Sequence, residues 1–207
     1  SALYVHSLKF NFMRYLIIGQ ANNSEAEKLK EYLIRKNENF YLISFQSFLN
    51  FKNQIFFEKF LNGQKHTSNY KYFLVKNNYI LFTLFNFLSL YFSLFYVLVF
   101  KEKVRSEITI GVSLFSSFLA YTLKKLSITK NFIYYSLDFY QNKTRDIFLK
   151  FYLFLFVKID VVLYKNSIKT WNSSIRIDKL RKNQKLHLNK SLVVTNGFFK
   201  DYFSLEK

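Results

Sequence analysis

Short, nearly continuous apolar runs recur along the chain with amphipathic stretches between them, and this alternation restricts the fold more than any other feature. The run YLIIG (15–19) is uncharged, rich in Ile and Leu, and stops at Gly19 before a polar loop, QANN. Ser24-Glu25-Ala26-Glu27 then reads as a capping box, with Ala26, Leu29, Leu33 and Ile34 recurring at helical spacing. FYLISF (40–45) is a second strand, which completes a βαβ unit. Further strands are predicted at KYFLVKN (71–77), EITIGVS (107–113), NFIYYSL (131–137), DVVLYK (160–165) and SLVVT (191–195). Helices are predicted near 114–127, 144–158 and 166–182, and residues 46–70 read as a short helix and a loop at Gly63. Strands that are apolar along their whole length are buried on both faces. The expected class is therefore α/β, a Rossmann-like doubly wound parallel sheet with helices on both faces.

Composition qualifies how charge and aromaticity are read. The chain has 27 Phe and 16 Tyr but no Pro, no Cys and 4 Gly, against average usage of about 5% Pro and about 7% Gly. Phe, Lys, Asn, Ile and Tyr use AT-rich codons, so an AT-rich genome accounts for much of this bias. The formal net charge of +18 points to an anionic partner, with genome-driven lysine as the plainer source. Without cysteine there are no disulfides, thiolate metal sites or cysteine nucleophile. His6, His66 and His187 show no ligand spacing, so no metal site is assigned. The lysine-rich stretch RIDKLRKNQKLHLNK (176–190) has the composition of a phosphate-contacting loop but no nucleic-acid-binding motif, so nucleic acid is not expected as a partner.

Tyr79–Phe100 carries no charge and meets the length test for a membrane span. Thr83, Asn86, Ser89 and Ser93 fall within roughly a third of the helix circumference, a stripe that lets a helix lie close to a sheet or another helix. Three readings stay open: a span, a helix with one face on the sheet and an aromatic face in the lipid interface, or a buried helix.

Doubly wound sheets receive ligands at the carboxyl ends of their strands. The first such turn, GQANNS, has one glycine and is not a dinucleotide fingerprint, although Gly19 can let a ligand approach the backbone and the following helix N-terminus can receive an anion. Asp138 in YYSLDFYQNK stands where a strand leaves the sheet, able to accept a proton from a hydroxyl or to cap the next helix. Gly111 and Ser113 end another strand, with Ser113 or Ser116 as helix cap.

Taken in order, MRYLIIG, EITIGVSLFSSFLAYTLKKLSITKNFIYYSLDFY, DVVLYKNSIKT and LVVTNGF resemble the N-terminal domain of GT-B fold glycosyltransferases, from Met13 to about Asp201. Asp160 falls at the Asp position of one family strand, and Asn196-Gly197 at the turn that closes the domain. Thr195 replaces the usual proline, Glu107 replaces an Asp, and Phe198–Lys200 lacks the expected Asp. The resemblance implies an acceptor-binding half-enzyme. Gly19, Gln20, Ala21 and Asn22 would bind the acceptor, Asp138 would be catalytic, and Gly111, Ser113, Asn196 and Gly197 would form the cleft edge. Residues 1–12, before Met13, read as a non-native or upstream extension, 13–200 as the domain and 201–207 as the start of a linker. The nucleotide-sugar donor is expected to bind mainly a C-terminal domain outside this sequence, with no cofactor in this one. A glycan or lipid-linked acceptor and peripheral contact with the inner face of the membrane, from a cytoplasmic position, are expected. The rivals are a membrane-associated structural protein built around 79–100 and a GT-B-like sugar-nucleotide epimerase.

Overall fold

The computed structural model describes residues 12–46, 53–74, 80–138, 147–183 and 190–194. Strand β1 (Phe12–Gln20) leads to helix α1 (Ser24–Arg35) and β2 (Phe40–Phe45), followed by β3 (Gln54–Leu61) and β4 (Gln64–Lys71). Helix α2 (Ile80–Tyr96), widening to a π-helical turn at Val97–Lys101, leads to β5 (Arg105–Val112), α3 (Leu114–Lys125) and β6 (Thr129–Ser136). Helix α4 (Ile147–Asn166), β7 (Lys169–Asn172), α5 (Ile175–Asn183) and β8 (Ser191–Val193) complete it. The fold is α/β and Rossmann-like, but its eight-stranded sheet is mixed, in the order β4-β3-β2-β1-β5-β6-β7-β8. Strands β2, β1, β5, β6, β7 and β8 are parallel, while β3 and β4 pair antiparallel at one edge.

Side chains alternate across each central strand, which is why the runs are apolar throughout. Tyr15 and Ile17 of β1 face α1, where they pack with Ala26, Leu29 and Leu33. Leu16 and Ile18 face the other way, into a core shared with Leu90 and Leu94 of α2, Leu119 and Leu123 of α3, and Leu163 of α4. Among the described residues, α1 thus covers one face and α2, α3 and α4 cover the other, where α5 adds Arg181 against Asp160 and the Tyr134 ring.

Four expectations are corrected. The expected helix and loop at 46–70 is largely the β3–β4 hairpin, whose two-residue turn, Asn62-Gly63, has φ of 46° and 77°. Two left-handed residues are what a tight hairpin requires, so Asn-Gly was a hairpin signal. With β4 ending at Lys71, the strand expected at 71–77 does not extend through Tyr72–Leu74. The strand expected at 160–165 is instead the last part of α4, and the helix expected over 166–182 divides into β7 and α5. Asp160 is therefore a helical residue rather than a strand residue, and the next strand is β7 (Lys169–Asn172). A smaller difference concerns α1, where Asn23 rather than Ser24 is the N-cap, its side-chain oxygen accepting from the N–H groups of Glu25 and Ala26 at 3.1 and 3.0 Å.

Helix α2 lies on the sheet by one face. Asn86, Leu90, Leu94 and Leu98 are buried at helical spacing, and the Ser89 hydroxyl donates to the Phe73 carbonyl. The polar stripe read in the sequence thus falls partly on the protein-facing side.

Candidate functional site

Strands β1 and β5 are parallel neighbours, yet the chain leaves them toward opposite faces, to α1 and to α3. That divergence opens a crevice at the carboxyl ends of the strands, the position where sheets of this kind take ligands. A cavity of about 290 Å³ lies there. Gln20 from the end of β1, Ser113 after β5 and Asp138 after β6 form its polar part. Its walls are apolar: Phe87 and Leu90 of α2, Phe115 and Phe118 of α3, Phe156 and Ile159 of α4. A few polar groups converging in a mostly apolar hollow is the usual composition of a small-molecule site.

The other sequence-predicted residues sit around this cavity in different roles. Gly19 is buried, and a Cβ there would stand 3.0 Å from the Ala26 Cβ, so it lets α1 approach β1. Gly111 does the same for α3 more tightly, since a Cβ would fall 2.4 Å from the Ser117 Cα. Ala21 donates its N–H to the Phe45 carbonyl at 2.7 Å, and Asn22 turns the chain with φ of 63°. None of these four lines the cavity, and Asn196 and Gly197 lie outside the described residues.

Ser113 has φ 94° and ψ 169°, a region that essentially only glycine occupies without strain. The backbone there is held by its own hydrogen bonds, with Ser113 N–H donating to the Tyr135 carbonyl at 2.9 Å and Ser117 N–H donating back to the Ser113 carbonyl at 3.1 Å. A strained serine thus sits at the polar end of the cavity.

Beside the cavity lies a buried polar network that sequence reasoning missed. Arg181 of α5 is 0% exposed and donates through Nη2 to Asp160 at 2.7 Å and to the Ser136 hydroxyl at 2.8 Å. Its guanidinium lies over the rings of Tyr134 and Tyr164, 5.2 and 4.8 Å from their centroids. The Tyr134 hydroxyl donates to the same Asp160 oxygen at 2.5 Å. Burial, reinforced by the Asp160 charge, holds that phenol protonated well above the usual tyrosine range. Ser136 in turn donates to the Asp138 carbonyl at 3.0 Å, so the network ties the segment bearing Asp138 to α4 and α5. Nothing in a lysine-rich stretch marks Arg181 as the buried cation. Asp178 of the same helix is held below the usual carboxylate range: burial opposes this, but hydrogen bonds from Lys182, Ser191 and Asn172 outweigh it.

Among the described residues no cluster of His, Cys, Asp or Glu could hold a metal ion. His66 is exposed on β4, while His6 and His187 lie outside the described residues. Chemically, the cavity offers one carboxylate, one amide and one hydroxyl at the polar end of an aromatic hollow. This suits a ligand with a hydroxyl to be oriented or deprotonated and an apolar portion to be enclosed. Comparison with models of known protein families and with characterised proteins gives no match.

Proposed function

We propose that this chain is the acceptor-binding half of a glycosyltransferase, working in the cytoplasm at the inner face of the membrane on a glycan or lipid-linked acceptor. The observation that carries the reading is the gathering of Gln20, Ser113 and Asp138 around one cavity where β1 and β5 diverge. In the reaction the acceptor oxygen forms a bond to the anomeric carbon of the sugar, and the nucleotide leaves with the electron pair of the broken bond. Asp138 accepts the proton of the attacking hydroxyl. Gln20 and Ser113 orient the acceptor by hydrogen bonds, and the apolar walls exclude water from the reacting oxygen. The nucleotide-sugar is assigned to a further domain outside this sequence.

The test is sugar transfer by the full-length protein carrying Asp138→Asn. General-base removal is expected to lower kcat by about a hundredfold or more while KM for the acceptor changes little. Transfer at the normal rate would remove Asp138 from the chemistry.

A further inference from the structure

The outer surface of the three-helix layer is left over by the fold and by the cavity. A window of α2 and its π-helical turn, Leu84–Lys101, is apolar enough to cross a membrane, yet only 28% of it is buried. Its inner side is committed to the core through Leu90, Leu94 and Leu98, so the helix cannot also be surrounded by lipid. Its outer side carries Phe85, Leu88, Phe92 and Tyr96 at helical spacing, with Phe92 62% exposed. Helix α4 packs on the same core through Leu163 and exposes a matching row, Phe151, Phe154 and Leu155, with Phe151 60% exposed. Two exposed rows of large apolar side chains on helices of one layer mark an interaction site.

Charge identifies the occupant. Among the described residues of α2, α3 and α4 there is a single carboxylate, Asp160, and it is buried against Arg181. Cations rim the aromatic rows: Lys101 lies 5.7 Å from the Tyr96 ring and Lys158 lies 5.3 Å from the Phe154 ring, while Lys150 and Lys165 are exposed on α4. A two-fold pairing of this surface with a second copy would set the same lysine-bearing helices against themselves, with the buried Asp160 as their only described carboxylate. Aromatic rings flanked by lysines match instead the boundary between acyl chains and anionic headgroups.

We propose that the α2–α4 face docks on the surface of an anionic lipid bilayer without spanning it. The cavity between these helices is then held beside the headgroup layer. The inference rests on the membrane position in the proposed function and names the face that makes contact; docking needs neither donor nor acceptor, so its failure is distinguishable from failure of sugar transfer.

Flotation of the 207-residue chain with vesicles tests it. The protein is expected to float with mixed phosphatidylglycerol–phosphatidylcholine vesicles and to remain below with phosphatidylcholine alone. Lys101→Gln with Lys158→Gln is expected to weaken partitioning about twenty-five-fold, from about fivefold per lysine. Phe92→Ser and Phe154→Ser are each expected to cost about tenfold or more. Arg35→Gln with Lys36→Gln, on α1, serves as the control and is expected to change binding far less. A tryptophan placed by Phe92→Trp is expected to be quenched by brominated lipid, while native Trp171, buried on the opposite face of the sheet, is not. Flotation that ignores both sets of substitutions, retention after alkaline carbonate, or no flotation at all would each overturn the proposal. So would a dimer in sedimentation that the Phe variants dissociate while vesicles go unbound.

Discussion

On one face of the sheet, α1 turns Glu31, Arg35 and Lys36 to solvent, and its ion pairs Lys30–Glu27 at 2.7 Å and Arg35–Glu31 at 3.9 Å run along its surface. On the other face, α2 and α4 turn phenylalanines outward and keep their only described carboxylate inside. Both layers are equally well buried within, as Leu29 and Leu33 on one side and Leu94 and Leu163 on the other show. Folding therefore does not dictate the difference, since the outward residues contribute little to the core. Codon bias does not dictate it either. A bias toward Phe and Lys acts on every helix, yet α1 contains no Phe and α2 alternates it with Leu along its length. The lesson is that composition inflated by a genome can still be informative through its placement.

The largest effect is expected where the aromatic layer is pinned to the sheet. Asp160→Ala leaves the Arg181 guanidinium buried without its counter-ion and should cost about 3–5 kcal/mol in urea denaturation. The double replacement Asp160→Leu with Arg181→Met should recover much of that, because removing both charges leaves none to desolvate. A loss near zero for the single variant would mean that the layer is held by apolar contact alone.

The two glycines sharpen the contrast next. Gly111→Ala drives a methyl into the backbone of Ser117 and should cost about 3 kcal/mol, whereas Gly19→Ala meets only side chains, the Ala26 methyl at 3.0 Å and Val112 farther off, and should cost less than about 1 kcal/mol. Equal melting shifts would show the two layers to be equally close to their strands. The smallest effects come from the two turns at the cavity. Asn23→Ala removes the cap of α1 and should cost about 1 kcal/mol. Ser113→Gly should instead stabilise by about 1 kcal/mol, because α3 begins at a residue whose backbone suits glycine. Denaturation curves that move the same way for both would break the distinction between a capped turn and a strained one.

Much of the sheet could be read in advance. Continuous apolar runs located β1, β2, β5 and β6, because the central parts of these strands are covered on both faces. The hairpin was missed because β4, QKHTSNYK, is largely exposed and has no apolar signature; only Asn62-Gly63 announced it. DVVLYK has the β-branched look of a strand, but in α4 Asp160, Leu163 and Tyr164 share a buried side, and that packing overrides a weak propensity. Strand β7 has four residues, KTWN, too few to show a period. Of the site, Gln20, Ser113 and Asp138 were legible because sheet topology alone brings strand ends together. The aromatic walls and Arg181 were not, since they come from helices whose facing depends on packing.

The hairpin also bears on how such a molecule survives in a crowded cell. An open sheet ends in rows of free N–H and C=O groups that invite another strand, and a protein with an exposed aromatic face gives strangers time to find them. Strand β4 closes one end with Gln64, Lys65 and His66, solvent-exposed and poor in apolar side chains, while β8 is only 3 residues long. Among the described residues, both ends of the sheet thus offer a poor template for fibril growth.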